Sequence, residues 1–184
     1  MGAHSERFGT ETLTAQEVTS IKVDGDYKTV RTESGDEYCS RAILLAPGTR
    51  YWRLGAPGEE DFIGVGIHFC ATCDGPFYKG KDMVVGGGNS GIEEGLFLTK
   101  FASKVTVLEV RERLGASQIL QDKAASHPQM EVRLSTTVEE FKGDGRLTSI
   151  VVKNMKTGEV EEMRPAAAFI FIGLDPNTEV LADT

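Results

Sequence analysis

Long apolar runs are missing from this sequence. No stretch approaches the ~20 apolar residues that a helix needs to span a bilayer, so a helical membrane protein is excluded. The opening Met1-Gly-Ala-His-Ser-Glu-Arg7 lacks the apolar centre of a secretory signal. The expected location is the cytoplasm. An excess of positive charge is also missing: 20 Lys and Arg stand against 28 Asp and Glu, a net charge of −8. Such a surface repels phosphate backbones and acidic headgroups, which argues against nucleic acid or a membrane as partner. Cysteine is scarce, with Cys39, Cys70 and Cys73 the full set, so no disulfide scaffold holds the fold. Histidine is scarce too. His4, His68 and His127 are not paired at ligand spacing, and a closed zinc site needs four ligands, so no metal is expected.

Glycine is plentiful, at 21 of 184 residues, and marks many tight turns. The length suits one large domain, or one domain and part of another. Residues 11–46 read as a small antiparallel meander, with turns at Asp24-Gly25-Asp26 and Ser34-Gly35-Asp36, feeding a buried strand at Ala42–Ala46. Gly55-Ala-Pro-Gly58 and the acidic Glu59-Glu60-Asp61 resemble a linker, which puts a boundary near Asp61. Beyond it the pattern becomes strand, helix, strand, helix, strand. Met83–Val85, Lys104–Val110 and Glu131–Leu134 are the strands; Ser90–Phe101 and Ser117–Ala125 are the helices, with Ser117 as N-cap. Residues 138–163 alternate around two turns as an inserted meander, and Ala166–Ile172 is a final buried strand. The expected fold class is α/β, a parallel sheet of Rossmann-like NAD(P)-binding type with an inserted β-meander.

Two motifs carry chemistry. Gly86-Gly-Gly88-Asn89-Ser90-Gly91 is a G-x-G-x-x-G that follows a buried strand and opens a helix. Gly86 allows the tight turn, Gly88 lets a pyrophosphate approach the backbone, and Gly91 lets the helix pack on the strand. The helix N-terminus then faces the phosphates. A plain glycine-rich turn is the bland alternative. Glu109 stands at the tip of the next strand, where an acidic residue binds the ribose 2′-hydroxyl. A carboxylate there repels a 2′-phosphate, so NADH is favoured over NADPH. Arg111 and Arg113 lie close enough to offset that preference. Cys70-Ala-Thr-Cys73 is the second motif, read as a dithiol/disulfide pair at a helix start, where thiol exchange is fast. Asp74 follows directly and is a candidate proton donor, or simply a turn residue beside Gly75-Pro76. Cys39 is read as structural. The pair is expected at the entrance to the nucleotide cleft.

The run Cys70-Ala-Thr-Cys-Asp-Gly-Pro-Phe-Tyr78, followed by Val84-Val-Gly-Gly-Gly-Asn-Ser-Gly-Ile-Glu-Glu94, closely resembles low-molecular-weight bacterial thioredoxin reductases. The likeness runs from about Arg7 to Leu181. It implies that residues 1–61 belong to an FAD-binding domain, here an incomplete antiparallel portion. Residues 62–174 would form the NAD(P)H domain, and 175–184 would begin the return to the FAD domain. It further implies electron transfer from NAD(P)H through FAD to the Cys70–Cys73 disulfide and then to a small protein disulfide. Cys70 would exchange with that substrate, Cys73 would face the flavin, and Asp74 would be the acid. In such proteins the nucleotide domain rotates, so that dithiol and nicotinamide take turns at the flavin. The implied partner is a thioredoxin-like or peroxiredoxin-like protein, and the full-length form would be a homodimer.

Departures from the family pattern are informative. No glycine motif for FAD precedes residue 61, and most of the FAD site is expected to be missing. The fragment by itself is expected to be inactive, and a truncated NAD(P)-binding module or an inert fragment are the alternatives. The usual His-Arg-Arg for a 2′-phosphate reads Glu109-Val-Arg111 here, with Gly115 where a further Arg is usual. Glu109 instead resembles the NADH-using flavoprotein subunits of alkyl hydroperoxide reductase. Pro47 stands where a Thr is usual.

Overall fold

The computed structural model describes residues 2–182; Met1, Asp183 and Thr184, at the ends of the expected domain ranges, lie outside the described residues. The chain divides into two compact units, residues 1–50 with 175–184, and residues 51–174.

The first unit begins with a short helix α1 (Gly2–Glu6). Strands β1 (Val18–Asp24), β2 (Tyr27–Thr32) and β3 (Glu37–Ser40) then form an antiparallel sheet in that order. Asp24 pairs with Tyr27, so the first hairpin turns on Gly25-Asp26. Gly25 has φ +57°, a conformation that glycine takes without a Cβ clash. The expected buried strand at Ala42–Ala46 is absent: the segment is irregular, and Leu44 is 94% exposed. An apolar run becomes a buried strand only where another element covers it, and nothing covers Leu44 among the described residues. The chain instead forms β4 (Thr49–Tyr51) a few residues later.

The second unit is built on a parallel sheet. Its elements are β5 (Ile67–His68), α2 (Ala71–Asp74), a 3₁₀ turn (Gly75–Tyr78), β6 (Asp82–Gly86), α3 (Asn89–Leu98), β7 (Lys104–Leu108), α4 (Gln118–Ser126) and β8 (Met130–Arg133). The insert β9 (Thr136–Gly143), β10 (Leu147–Asn154) and β11 (Val160–Met163) follows as an antiparallel sheet, and β12 (Ala167–Phe169) returns to the parallel one. Strand order in the parallel sheet is β5-β12-β6-β7-β8. Strand β13 (Leu174–Pro176) pairs with β4 as a two-stranded ribbon.

Both faces of the parallel sheet are covered, which is why its inner strands β6, β7 and β12 read as largely apolar runs. Met83, Val85, Val105, Val107 and Phe169 face one core with Ile92 and Leu98 of α3. Val84, Leu108, Ala168 and Ile67 face the other, with Phe141, Ile150 and Val152 of the insert. Burying each of these large side chains contributes roughly 1.5–3 kcal/mol. The insert therefore serves as the second wall of the sheet, in the place a helix layer would take.

Residues 51–61, expected with the preceding part, pack within the second unit. The cause is Glu59, which is only 2% exposed. Its carboxylate accepts the backbone N–H of Leu54 at 3.1 Å and of Gly55 at 2.7 Å, folding the acidic segment back onto the unit. Phe62 adds its ring to the insert-side core. Ser117 occupies the N-cap of α4, but its hydroxyl makes no capping bond; its carbonyl accepts from Leu120 and Gln121.

Candidate active site

Strand β6 delivers the chain to Gly86-Gly87-Gly88, and α3 starts at Asn89 with Gly88 as its N-cap. A Cβ on Gly91 would overlap the carbonyl oxygen of Gly86, so only glycine lets α3 sit this close to β6. Gly88 is different: open space surrounds the position its Cβ would take. That gap lies at a helix N-terminus, as pyrophosphate binding requires. A cavity of about 380 Å³ opens beside the turn, lined by Gly86, Gly87, Gly88, Glu109, Arg111, Gly115, Thr136, Phe171 and others.

Glu109 is held firmly and is 8% exposed. Its Oε1 accepts the backbone N–H of Arg111 at 3.1 Å. Its side chain lies against the turn, so that a Cβ on Gly87 would come within 2.6 Å of Glu109 Oε2. Its own backbone is fixed by Arg133 and Thr136. Arg111 lines the same cavity, near Gly115. Asn89 and Ser90 do not line it. Asn89 Oδ1 accepts the backbone N–H of Ser117 at 2.7 Å, tying the start of α3 to the start of α4.

Cys70 and Cys73 are joined as a disulfide, with their Cα atoms 5.3 Å apart. Cys70 is the N-cap of α2 and accepts the Cys73 N–H on its sulfur at 3.2 Å. The Thr72 hydroxyl lies 3.4 Å from the same sulfur. Cys73 is exposed and Cys70 half-buried, so the pair is open to a reagent. Neither cysteine lines the cavity beside the glycine turn. Cys39 is free and exposed.

Beneath the disulfide lies a group that motif reading passes over. His68, on β5, is 8% exposed. Its Nε2 is 2.7 Å from the Tyr78 hydroxyl and its Nδ1 is 3.4 Å from Asp74 Oδ2. Burial holds its pKa below the ordinary imidazole value, and the Asp74 carboxylate works against that effect. Tyr78 is pushed up, first by burial and then by Asp74. The one hint in the sequence is a polar ring in an apolar run, Ile67-His68-Phe69, two residues before Cys70.

Fold and sites together define an α/β protein with a glycine turn at a cavity and an accessible Cys-x-x-Cys disulfide. The pyridine nucleotide-disulphide oxidoreductase family matches residues 3–184, and the chain belongs to it. It is 39% identical to the thioredoxin reductase of Streptomyces clavuligerus over 181 residues, 98% of this chain and 56% of that protein. It is 39% identical to the thioredoxin reductase of Bacillus subtilis, with 96% and 56% covered. Among solved structures, Lactococcus lactis thioredoxin reductase in its FR conformation superposes with a TM-score of 0.80 at 39% identity, covering 91% of this chain and 56% of that one. The T. acidophilum thioredoxin reductase gives 0.81 at 29%, with 100% and 60% covered. The chain thus spans a little over half the length of the relatives it matches. Among the described residues, no helix is long and apolar enough to cross a membrane.

Proposed function

We propose that this chain is the nucleotide- and disulfide-bearing part of a flavin-linked, thioredoxin-reductase-like oxidoreductase. The observation that carries the reading is an accessible Cys70–Cys73 disulfide in the same compact unit as a glycine turn with open space at Gly88. Kinship with thioredoxin reductases supports it.

Residues 51–174, a wider range than the expected 62–174, are proposed as a Rossmann-type NAD(P)H domain, and residues 1–50 with 175–184 as parts of an FAD domain. Gly86, Gly88 and Gly91 with the α3 N-terminus would hold the pyrophosphate, and the open space at Gly88 fits that group. Asn89 acts one step back, by anchoring the helix start to Ser117; Ser90 is assigned the exposed lip of the same turn. Glu109 accepts the ribose hydroxyls and Arg111 flanks it, giving NADH preference over NADPH. The first unit's described residues form an antiparallel sheet without a phosphate-cradling glycine turn, so no flavin contact is assigned to them. When bound, a flavin supplies two-electron transfer between nicotinamide and sulfur. Nicotinamide and disulfide would be served in turn. Cys70 exchanges with a thioredoxin-like or peroxiredoxin-like disulfide, Cys73 takes the electrons from the flavin side, and Asp74 gives the leaving sulfur its proton. The full-length protein is proposed to be a cytoplasmic homodimer.

The test uses the purified chain. NADH and NADPH are titrated by nicotinamide fluorescence, and dithiothreitol reduction of Cys70–Cys73 is followed by thiol labelling. NADH-dependent reduction of thioredoxin is then measured with FAD added. Nucleotide binding and rapid exchange are expected. Binding without exchange would leave only a nucleotide-binding module, and absence of both would overturn the proposal.

A further inference from the structure

The Asp74 carboxylate stands at the end of a four-residue helix and is 30% exposed, so nothing in α2 itself fixes its orientation. His68 reaches it from the neighbouring strand. Three elements pack on the imidazole: α2 brings the Asp74 carboxylate, the 3₁₀ turn brings the Tyr78 hydroxyl at 2.7 Å, and β12 brings the uncharged Phe169 ring at 5.4 Å between centroids. Tyr78 also packs edge-on against Phe169, so its hydroxyl is aimed by the core.

A neutral imidazole offers one N–H and one lone pair. Asp74 Oδ2 is an acceptor, so the tautomer that serves it carries its N–H on Nδ1, which leaves the Nε2 lone pair to accept from the Tyr78 hydroxyl at 2.7 Å. Direction therefore runs one way, from Tyr78 through His68 to Asp74.

We propose that His68 is a positioning residue for Asp74, holding that carboxylate in register with the Cys70–Cys73 pair through a Tyr78–His68–Asp74 chain. This rests on the proton-donor assignment made for Asp74 above. In the exchange step, Asp74 first takes a proton from solvent on the oxygen that does not face His68; a dithiothreitol thiolate attacks one sulfur, the Cys70–Cys73 bond breaks, and the leaving sulfur takes that proton from Asp74. The reagent's second thiol returns a proton to Asp74, closes its own disulfide ring and releases the other cysteine as thiolate. Two electrons pass from reagent to protein.

The experiment measures dithiothreitol reduction of the chain's disulfide against pH, as the ratio of variant to wild type, so that the reagent's own titration cancels. His68→Leu keeps bulk and removes both polar atoms; His68→Gln keeps a donor and an acceptor. We expect His68→Leu to be about tenfold slower and His68→Gln within about twofold of wild type, a part of the ~10²–10⁴ that a positioned acid contributes. With Asp74→Asn already present, His68→Leu should add no further loss. If Leu matches wild type, or slows the Asp74→Asn chain by the same factor, the positioning is refuted. Should His68→Leu fail to fold, Tyr78→Phe decides, since it deletes one oxygen from the chain: slower exchange supports the proposal and unchanged exchange overturns it. If Asp74→Asn itself exchanges like wild type, the acid assignment falls and the positioning with it. An Asp74→Asn effect without a His68 effect sinks the positioning alone.

Discussion

Replacing Glu109 by Gln should weaken NADH binding and strengthen NADPH binding at once. The side chain is buried against Gly87, and Oε1 accepts the Arg111 N–H. Gln keeps that acceptor through its amide oxygen, so the backbone stays in place while the charge disappears. A hydrogen bond to a charged group contributes about 1.5–3 kcal/mol, against about 0.5–1.5 for a neutral pair. Losing the charge at one ribose hydroxyl therefore removes about 1.4 kcal/mol, or about tenfold in NADH affinity. For NADPH the sign reverses. A phosphate about 4 Å from a carboxylate is repelled by about 4 kcal/mol per charge pair at an effective dielectric of about 20, before relaxation and salt reduce it. A net gain of about tenfold in NADPH affinity is expected after that discount. The preference ratio should thus shift by about 100-fold. Titration of both nucleotides by fluorescence at one fixed salt concentration gives the ratio directly. A change in the ratio below about threefold would show that the carboxylate does not face the ribose, and the reasoning would fail.

Other expectations follow from single contacts. Gly91→Ala should abolish nucleotide binding and lower the melting temperature, because its Cβ meets the Gly86 carbonyl and overpacking costs about 1–3 kcal/mol, whereas Gly88→Ala should melt like wild type yet bind NADH poorly. Equal melting of the two variants would contradict the packing. Glu59→Gln should cost about 1–3 kcal/mol, since one of the N–H groups of Leu54 and Gly55 then faces an amide donor; a melting temperature within about 2 °C of wild type would refute the buried latch. His68 is held below its ordinary pKa by burial, so the unfolded chain binds its proton first as pH falls. Its share of stability is complete above about pH 6.5 and is lost as pH drops through that value toward the folded pKa. Urea midpoints should therefore fall less in His68→Leu than in wild type between about pH 7.5 and pH 5.5, and parallel curves would exclude burial of a neutral ring.

Much of the parallel core was legible because burial on both faces leaves a plain mark: Met83–Val85 is apolar throughout, and Val105–Leu108 is broken only by the buried Thr106. The glycine turn was legible for a steric reason, since a side chain at Gly91 has nowhere to go. Ala42–Ala46 was misread because an apolar run records affinity for a neighbour and not the neighbour's presence. The linker reading of residues 55–61 failed at Glu59, because composition cannot separate a solvated carboxylate from one that caps two backbone N–H groups. Ser117 looked like a side-chain cap, while the partner that uses its N–H is Asn89, 28 residues away. His68 stayed hidden for a related reason. Its partners lie six and ten positions on, spacings set by the fold-back of α2 and the 3₁₀ turn, and no helical or strand period connects them.

The close seat of Glu109 on Gly87 has an evolutionary consequence. Any side chain at position 87 would evict the carboxylate before it touched a nucleotide. The two sites, 22 residues apart in sequence and on adjacent strands' ends, must therefore change as a pair. A substitution at 87 would unseat the acid still encoded at 109, and an acid at 109 keeps its present seat only beside glycine at 87.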